Sequence, residues 1–307
     1  MKVSSRSLLP RRRLLGTACL APLLALAKPS AAAEGASSVI SYVRAVSASD
    51  IDAHASFGWD VLAAALERTR ATHGDYRLTT STDAAQALRF RHATRSSNVE
   101  VNVVILTISP AWNDILLPVR IPFLRGLLGY RLLVVRRRDL DRFAKINSLA
   151  DLRRVSIGSV AHWLDTAILQ DAGLSVVTGS SFDGLFKMMK ANRFQALSRG
   201  AHQIEGEVAN LAADPDNDLV VEPHLLLHYN LPVYFWFSRD KEGQRRAARV
   251  RDGLRSMEAD GSLDGMFEAN FGKVIAKYDL THRTIIEIPN RFLSPDDPAD
   301  DHFPWRR

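Results

Sequence analysis

The sequence predicts an α/β fold of two lobes, and three observations carry that expectation. Short apolar runs rich in β-branched residues alternate with segments of helical period along most of the chain. The alternation falls into two groups, one near residues 38–130 and one near 131–228. A further strand and further helices follow the second group. A chain that leaves a first lobe, completes a second and then returns makes a two-stranded hinge, and ligand pockets favour the cleft between such lobes.

The elements follow in order. Val39–Val43 reads as a strand, and Ser47–Ser56 as a loop into a helix over Phe57–Thr69, where Val61, Leu62, Ala65 and Leu66 share a face. Tyr76–Thr80 alternates as a strand, Ala84–Ala93 reads as a helix, and Val101–Thr107 suits a strand buried on both faces. The second group opens with the strand Arg131–Val135 and the turn Ser148–Leu152. A strand Val155–Gly158, a helix Ala161–Ala172 closed by Gly173, and a strand Ser175–Thr178 come next. In the helix Ser181–Asn192, Phe182, Leu185, Phe186 and Met189 fall at i, i+3, i+4 and i+7, a core stripe.

The strand Phe194–Ser198, the helix His202–Leu211 and the turn cluster Asp214-Pro215-Asp216-Asn217 complete that group. Val233–Phe237 reads as a buried strand that holds Trp236 in the core. The long helix Lys241–Ala259 turns Ala247, Val250, Leu254 and Met257 inward and sets Arg245, Arg246, Arg249 and Arg255 on a solvated surface, with Gly261 as its stop.

The chain has 307 residues, 46% hydrophobic and 24% charged, which is a globular composition. Its formal charge of +6 is misleading, because Met1–Ala33 holds six of the forty Lys and Arg residues and no acid. The remaining 34 basic side chains meet 34 acidic ones. A neutral body exerts no general pull on nucleic acid or anionic lipid.

Residues 1–33 have the parts of an export signal: Arg11-Arg12-Arg13, an apolar run Leu14–Ala27, and a small-residue cleavage site ending at Ala33. About 14 apolar residues, broken by Pro22, fall short of the roughly 20 that a membrane span needs. The paired arginines suit a twin-arginine signal, and both Sec and Tat export stay open. Cleavage removes Cys19, the one cysteine, and with it disulfide, thiolate and zinc–cysteine chemistry. A periplasmic product is expected.

Several short motifs follow one another along the chain: Pro118-Val119-Arg120-Ile121-Pro122, Gly126–Arg131, Ser148–Leu152, Ile157-Gly158-Ser159, Trp163-Leu164-Asp165-Thr166, Asn192–Leu197, and Asp260-Gly261-Ser262. Their order resembles that of the bacterial extracellular solute-binding proteins of family 3, the type II periplasmic receptors of amino-acid ABC importers, in a branch known only as transporter substrate-binding-domain proteins. The resemblance implies the type II periplasmic-binding-protein fold, with lobe one over 34–130 plus 229–307 and lobe two over 131–228. It implies a small-molecule solute as ligand and an inner-membrane ABC permease or a sensor as partner, with the protein a monomer. No nucleic-acid partner, cofactor, metal or catalytic residue is expected.

Two departures bear on the ligand. Family members take the ligand carboxylate with an Arg just after the third strand, and Thr107–Asp114 offers none before Arg120. They place an Asp in the second lobe for the α-ammonium, and the nearest position here is Arg199. A like charge in a closed cleft is costly, so Arg199 suits a carboxylate, sulfonate or phosphate, which its planar fork binds bidentately.

The expected ligand residues are Phe57, Ser109, Trp112 and Arg120 from lobe one, and Ser159, Trp163, Asp165 and Arg199 from lobe two. Each has a plainer alternative. Phe57 opens a helix and also suits the core. Trp112 and Trp163 stack on a ligand or pack inside. Gly158-Ser159 before a helix offers backbone N–H groups to an anion or is a simple turn. Asp165 meets a ligand or complements a helix dipole.

His202, Glu205 and Glu207 cannot all share one helical face, so metal is disfavoured, and Glu205 is expected to balance Arg199 or to cap the surface of the second lobe. No GxSxG, Walker loop or GxGxxG is present. The expectation is therefore a binding protein. Its rivals are an interaction protein that kept the fold without solute binding, and a dehydratase-like enzyme on the same fold.

Overall fold

The computed structural model describes residues 39–44, 53–81, 100–207 and 217–298. The expected export signal, the helix Ala84–Ala93 and most of the turn cluster at 214–217 lie outside the described residues. Residues 37–307 form a compact unit of their own. Among the described residues no helix is long and apolar enough to cross a membrane.

The smaller of two strand groups begins with β1 (Ile40–Arg44), followed by helix α1 (Ala53–Arg68) and β2 (Tyr76–Thr80), which pairs parallel to β1. Next come β3 (Val104–Thr107) and β4 (Leu116–Val119). A parallel bridge from Arg44 to Val103 links β1 to the entry of β3.

The larger sheet begins with β5 (Tyr130–Arg136) and continues through β6 (Ser156–Val160), helix α2 (Leu164–Asp171), β7 (Ser175–Gly179), helix α3 (Phe182–Lys190) and β8 (Ala196–Gly200). It gains β9 (Leu219–Val221) and β10 (Leu225–His228) before the chain returns as β11 (Val233–Ser238), between β3 and β4. Helices α4 (Lys241–Ala259) and α5 (Ser262–Lys277) and strand β12 (Thr284–Glu287) follow. The larger sheet runs β12-β10-β5-β8-β6-β7, with β9 beside the far half of β5. The architecture is thus α/β and two-lobed, as the sequence predicts.

Local chemistry explains most boundaries. Ser181 accepts the Gly184 N–H at 3.2 Å to start α3, and Asp240 accepts that of Gly243 at 2.7 Å to start α4. Helix α2 starts at Leu164 rather than Ala161, because Gly158–Val160 are spent on pairing with β7 and β8. Trp236 is fully buried in β11, its Nε1 donating to the Leu106 carbonyl at 3.0 Å.

The two crossings between the sheets lie side by side. The Tyr229 N–H donates to the Gly129 carbonyl at 3.2 Å, and a Cβ on Gly129 would sit 2.1 Å from the Tyr229 oxygen. Only glycine fits there. A third connection runs past β12: Ile288 N–H donates to the His228 carbonyl at 2.8 Å, Asn290 Nδ2 to the Asn230 carbonyl at 2.7 Å, and Asn230 Nδ2 to the Pro298 carbonyl at 3.1 Å. Asp297, its side chain buried, pairs with Arg120 and accepts the Ser294 N–H at 2.7 Å.

One expectation is overturned here. Arg249 is not on the solvated face of α4 but fully buried, its guanidinium turned onto the end of α1. The Gly253 position of α4 meets the Ala65 backbone of α1 so closely that a Cβ would stand 2.2 Å from its oxygen. That approach brings Arg249 within reach of the helix end.

Burial also sets an alkaline limit. It pushes the Tyr42 hydroxyl up to about 12, and raises those of Tyr229 and Tyr234 as well. A raised folded pKa on an acid means stability that is complete below about pH 10 and lost as pH climbs through the folded values. We expect at least these three of the six tyrosines to ionise only with unfolding, followed at 295 nm beside far-ultraviolet circular dichroism. Ionisation of all six ahead of the loss of ellipticity would refute this.

Candidate functional site

A cavity of about 700 Å³ opens between the larger sheet and the three-stranded sheet β3-β11-β4. It lies beyond the C-terminal ends of β6 and β8, the crevice position that open α/β sheets favour, and beside the end of β3.

Two buried arginines reach it. Arg131 is the second residue of β5, ahead of Leu132-Leu133-Val134-Val135, and is 2% exposed. A buried cation needs an opposing charge, and Asp165, near the start of α2, supplies one with Oδ1 2.8 Å from Nη2. Arg131 Nη1 donates to the Leu128 carbonyl at 3.0 Å, and the Tyr229 hydroxyl donates to the same Asp165 oxygen at 2.5 Å. Burial is the largest influence and works against the Arg131 charge, but Asp165, Tyr229 and Glu207 together outweigh it and hold the guanidinium pKa above its ordinary value. Burial keeps Tyr229 protonated, as its donor role requires.

Arg199 stands on β8, opposite Leu132 of β5, while Arg131 stands opposite Gly200. Directly opposed residues share a face, so the two arginines leave opposite faces of the sheet. Both still reach the cavity, because it lies at the strand ends. Arg199 Nε donates to both Glu207 carboxylate oxygens at 2.8 Å, and Nη2 adds a further bond. The guanidinium carbon lies 4.3 Å from the Phe182 ring centroid and 5.1 Å from that of Trp163, within cation–π range. Among the described residues, Nη1 has no hydrogen-bond partner.

The cavity brings together Ser109, Trp112, Trp163, Asp165 and Arg199 of the residues expected from sequence. The structure places the other three elsewhere. Phe57 is 1% exposed, its ring 5.0 Å from that of Phe271 and 6.3 Å from that of Phe123. Arg120 is held by Asp297 and by Asn113 Oδ1, the latter at 3.3 Å. Ser159 is buried, its Oγ accepting from Thr166 at 2.6 Å. The helix-end anion site expected at Gly158-Ser159 is absent, since both residues lie within β6.

Glu207, not Glu205, balances Arg199, while Glu205 accepts from Lys277 at 2.5 Å. His202 sits edge-on to Phe271 at 6.2 Å. Among the described residues no group of three or more His, Cys, Asp or Glu is placed to hold a metal. Sequence reasoning passed over Arg131, Tyr229 and the Arg199–Glu207 pairing. The available signal was Arg131 itself, a charge at the head of an apolar strand.

Glu207→Gln leaves Arg199 buried without its counter-charge, and should cost about 3 kcal/mol in urea denaturation. Arg199→Met with Glu207→Leu should recover most of that loss. A single variant as stable as the parent would mean that the pair contributes nothing.

No protein-family model matches this sequence, and no curated protein matches it. Among solved structures, the chain is similar to a Salmonella typhimurium periplasmic binding protein described for high arginine specificity, at 16% identity over 76% of this chain and 100% of that one, with a TM-score of 0.49. It is similar to a mutant of ArgBP from T. maritima, at 16% identity over 76% and 95% of the two chains, with a TM-score of 0.47. It is likewise similar to the second substrate-binding domain of Lactococcus lactis GlnP in an open conformation, at 15% identity over 76% and 96%, with a TM-score of 0.45.

Proposed function

We propose that this protein is an exported solute-binding receptor that captures a small polar solute between its lobes and presents the closed form to an ABC-type importer or a membrane sensor. It carries no catalysis of its own. The observation that carries the reading is the cavity between the two sheets, walled by Trp112 and Trp163 and reached by Arg131, Asp165 and Arg199. Solute pockets combine apolar walls with a few placed polar groups in this manner. Lobe one would comprise residues 34–130 plus 229–307 and lobe two residues 131–228, with the signal cleaved near Ala33.

An anionic group on the solute fits the donors that Arg199 keeps after binding Glu207, with the indole faces stacking on the solute body. One observation favours a second ligand class. Arg131 and Arg199 are each already matched by a carboxylate, so the site is also electrically suited to a zwitterion.

A thermal-shift screen of the chain from Glu34 onward tests both, using amino acids, di- and tricarboxylates, sulfonates, phosphates and polyamines. A ligand at about 100 times its dissociation constant stabilises by about 2.7 kcal/mol, a rise of a few degrees. Saturable hits among anions support the first class, and hits among amino acids the second. Silence across the panel would overturn the receptor reading in favour of an interaction protein. Turnover of a hit would establish the enzyme alternative.

A further inference from the structure

The charge balance beyond residue 33 conceals an uneven distribution. Strands β6 and β8 point their C-terminal ends at the cavity, so their first residues mark the opposite pole of the larger sheet. That pole gathers Arg137, Arg138, Arg142, Arg154, Lys190 and Arg193, all exposed. The segments carrying them are in contact: Arg138 bonds Asn192, Arg142 Nη2 donates to the Arg154 carbonyl at 2.9 Å, and Arg136 Nη1 donates to the Met189 and Phe194 carbonyls, both at 3.0 Å.

Among the described residues, acidic groups there are fewer than basic ones. Asp139 is occupied by Arg136 at 2.8 Å, Asp151 lies 3.9 Å from Arg154, and Asp141 and Asp218 are exposed nearby. Basic residues at helix ends commonly complement the helix dipole, which accounts for Lys190 in the last turn of α3. It does not account for Arg137 and Arg138 in a 3-10 turn, or for Arg193 beyond the helix.

Protein hot spots set Arg together with Trp and Tyr in well-packed pockets. Among the described residues the exposed large hydrophobic side chain is Val39, just before β1 on the other strand group. Charge without anchors suits a phosphate-bearing lipid surface, where each basic side chain adds attraction without needing a pocket. We propose that this pole is a docking face for an anionic bilayer, bound through its phosphate headgroups, with the cavity turned away from the lipid. This goes beyond the solute-binding reading and does not depend on it.

The test is co-sedimentation of the chain from Glu34 onward, which contains the whole compact unit, with phosphatidylglycerol–phosphatidylcholine vesicles and with pure phosphatidylcholine vesicles. Binding is expected to the anionic vesicles alone, and to fade as salt shortens the Debye length. Changing Arg137, Arg138 and Arg193 to Glu should weaken it at least about tenfold. The same change at Arg245, Arg251 and Arg255 on α4, equal in net charge, should leave it near the parent value. Gln replaces Glu at the three pole positions if that variant fails to fold.

Three results would overturn the proposal. One is no binding to anionic vesicles at low salt, and another is an equal loss in both triple variants. The third is retention on immobilised polyglutamate without vesicle binding, which would assign the face to an acidic protein.

Discussion

Replacing Arg249 with Met is expected to lower unfolding stability by about 3–5 kcal/mol, with the loss read as a shifted urea midpoint at unchanged slope. The side chain is fully buried on α4 and serves the far end of α1. Its Nε donates to Thr69 Oγ1 at 3.0 Å, and Nη2 to the Gly74 and Leu66 carbonyls at 2.7 and 3.3 Å. Nη1 reaches the Asp75 carbonyl at 3.4 Å. Carbonyls at a helix C-terminus lack partners within the helix, and the local dipole favours a cation. Met fills much of the stem volume but takes the guanidinium donors from all of these acceptors, and leaves the Leu66 and Asp75 carbonyls only the Thr69 hydroxyl and the Ile40 N–H. Lys restores the charge without the fork, so Arg249→Lys should fall between. A loss below about 1 kcal/mol in the Met variant would refute this account.

The second large effect is expected from Asp165→Ala. Arg131 would remain buried with no opposing charge, and the Tyr229 hydroxyl would lose its acceptor. Breaking such a pair from one side costs about 3–5 kcal/mol, and the solute-dependent rise in thermal midpoint should vanish with it. Arg131→Met combined with Asp165→Leu separates the two effects. Stability should largely return, because the charges leave together, while the solute response should stay lost. A double variant that still responds to solute would show that the pair serves the fold alone.

Residues that act through local periodicity were legible in the sequence; those that act through distant partners were not. Helix α4 has the bounds expected, Lys241–Ala259, because its apolar stripe and its Asp240 cap are local facts. Arg249 belongs to the same helix and was misread. Periodicity assigns it to the polar side, and only the approach of α4 to the end of α1 makes that side an interior. The start of α2 shifted for a related reason, since the residues before Leu164 are committed to neighbouring strands.

In the candidate site, the order of motifs pointed to Trp163, Asp165 and Arg199, and the cavity gathers them. Which acid serves which base could not be read, because Glu205 and Glu207 differ only in register along one helical turn. Tyr229 gave no local cue at all. Its role depends on two crossings meeting at Gly129, about one hundred residues earlier in the sequence.

The run from Ile288 to Pro298 also bears on the order in which the protein can be finished. Whether from a ribosome or a translocon, a polypeptide emerges from its amino end. Both sheets and both crossings are therefore available before Asp297 arrives to meet Arg120, and before Pro298 meets Asn230. Until then the halves around the cavity are a two-cord assembly, freer to splay than the finished molecule. A nascent or clipped chain ending near residue 287 would carry every described strand and yet lack the clasp that sets its gape.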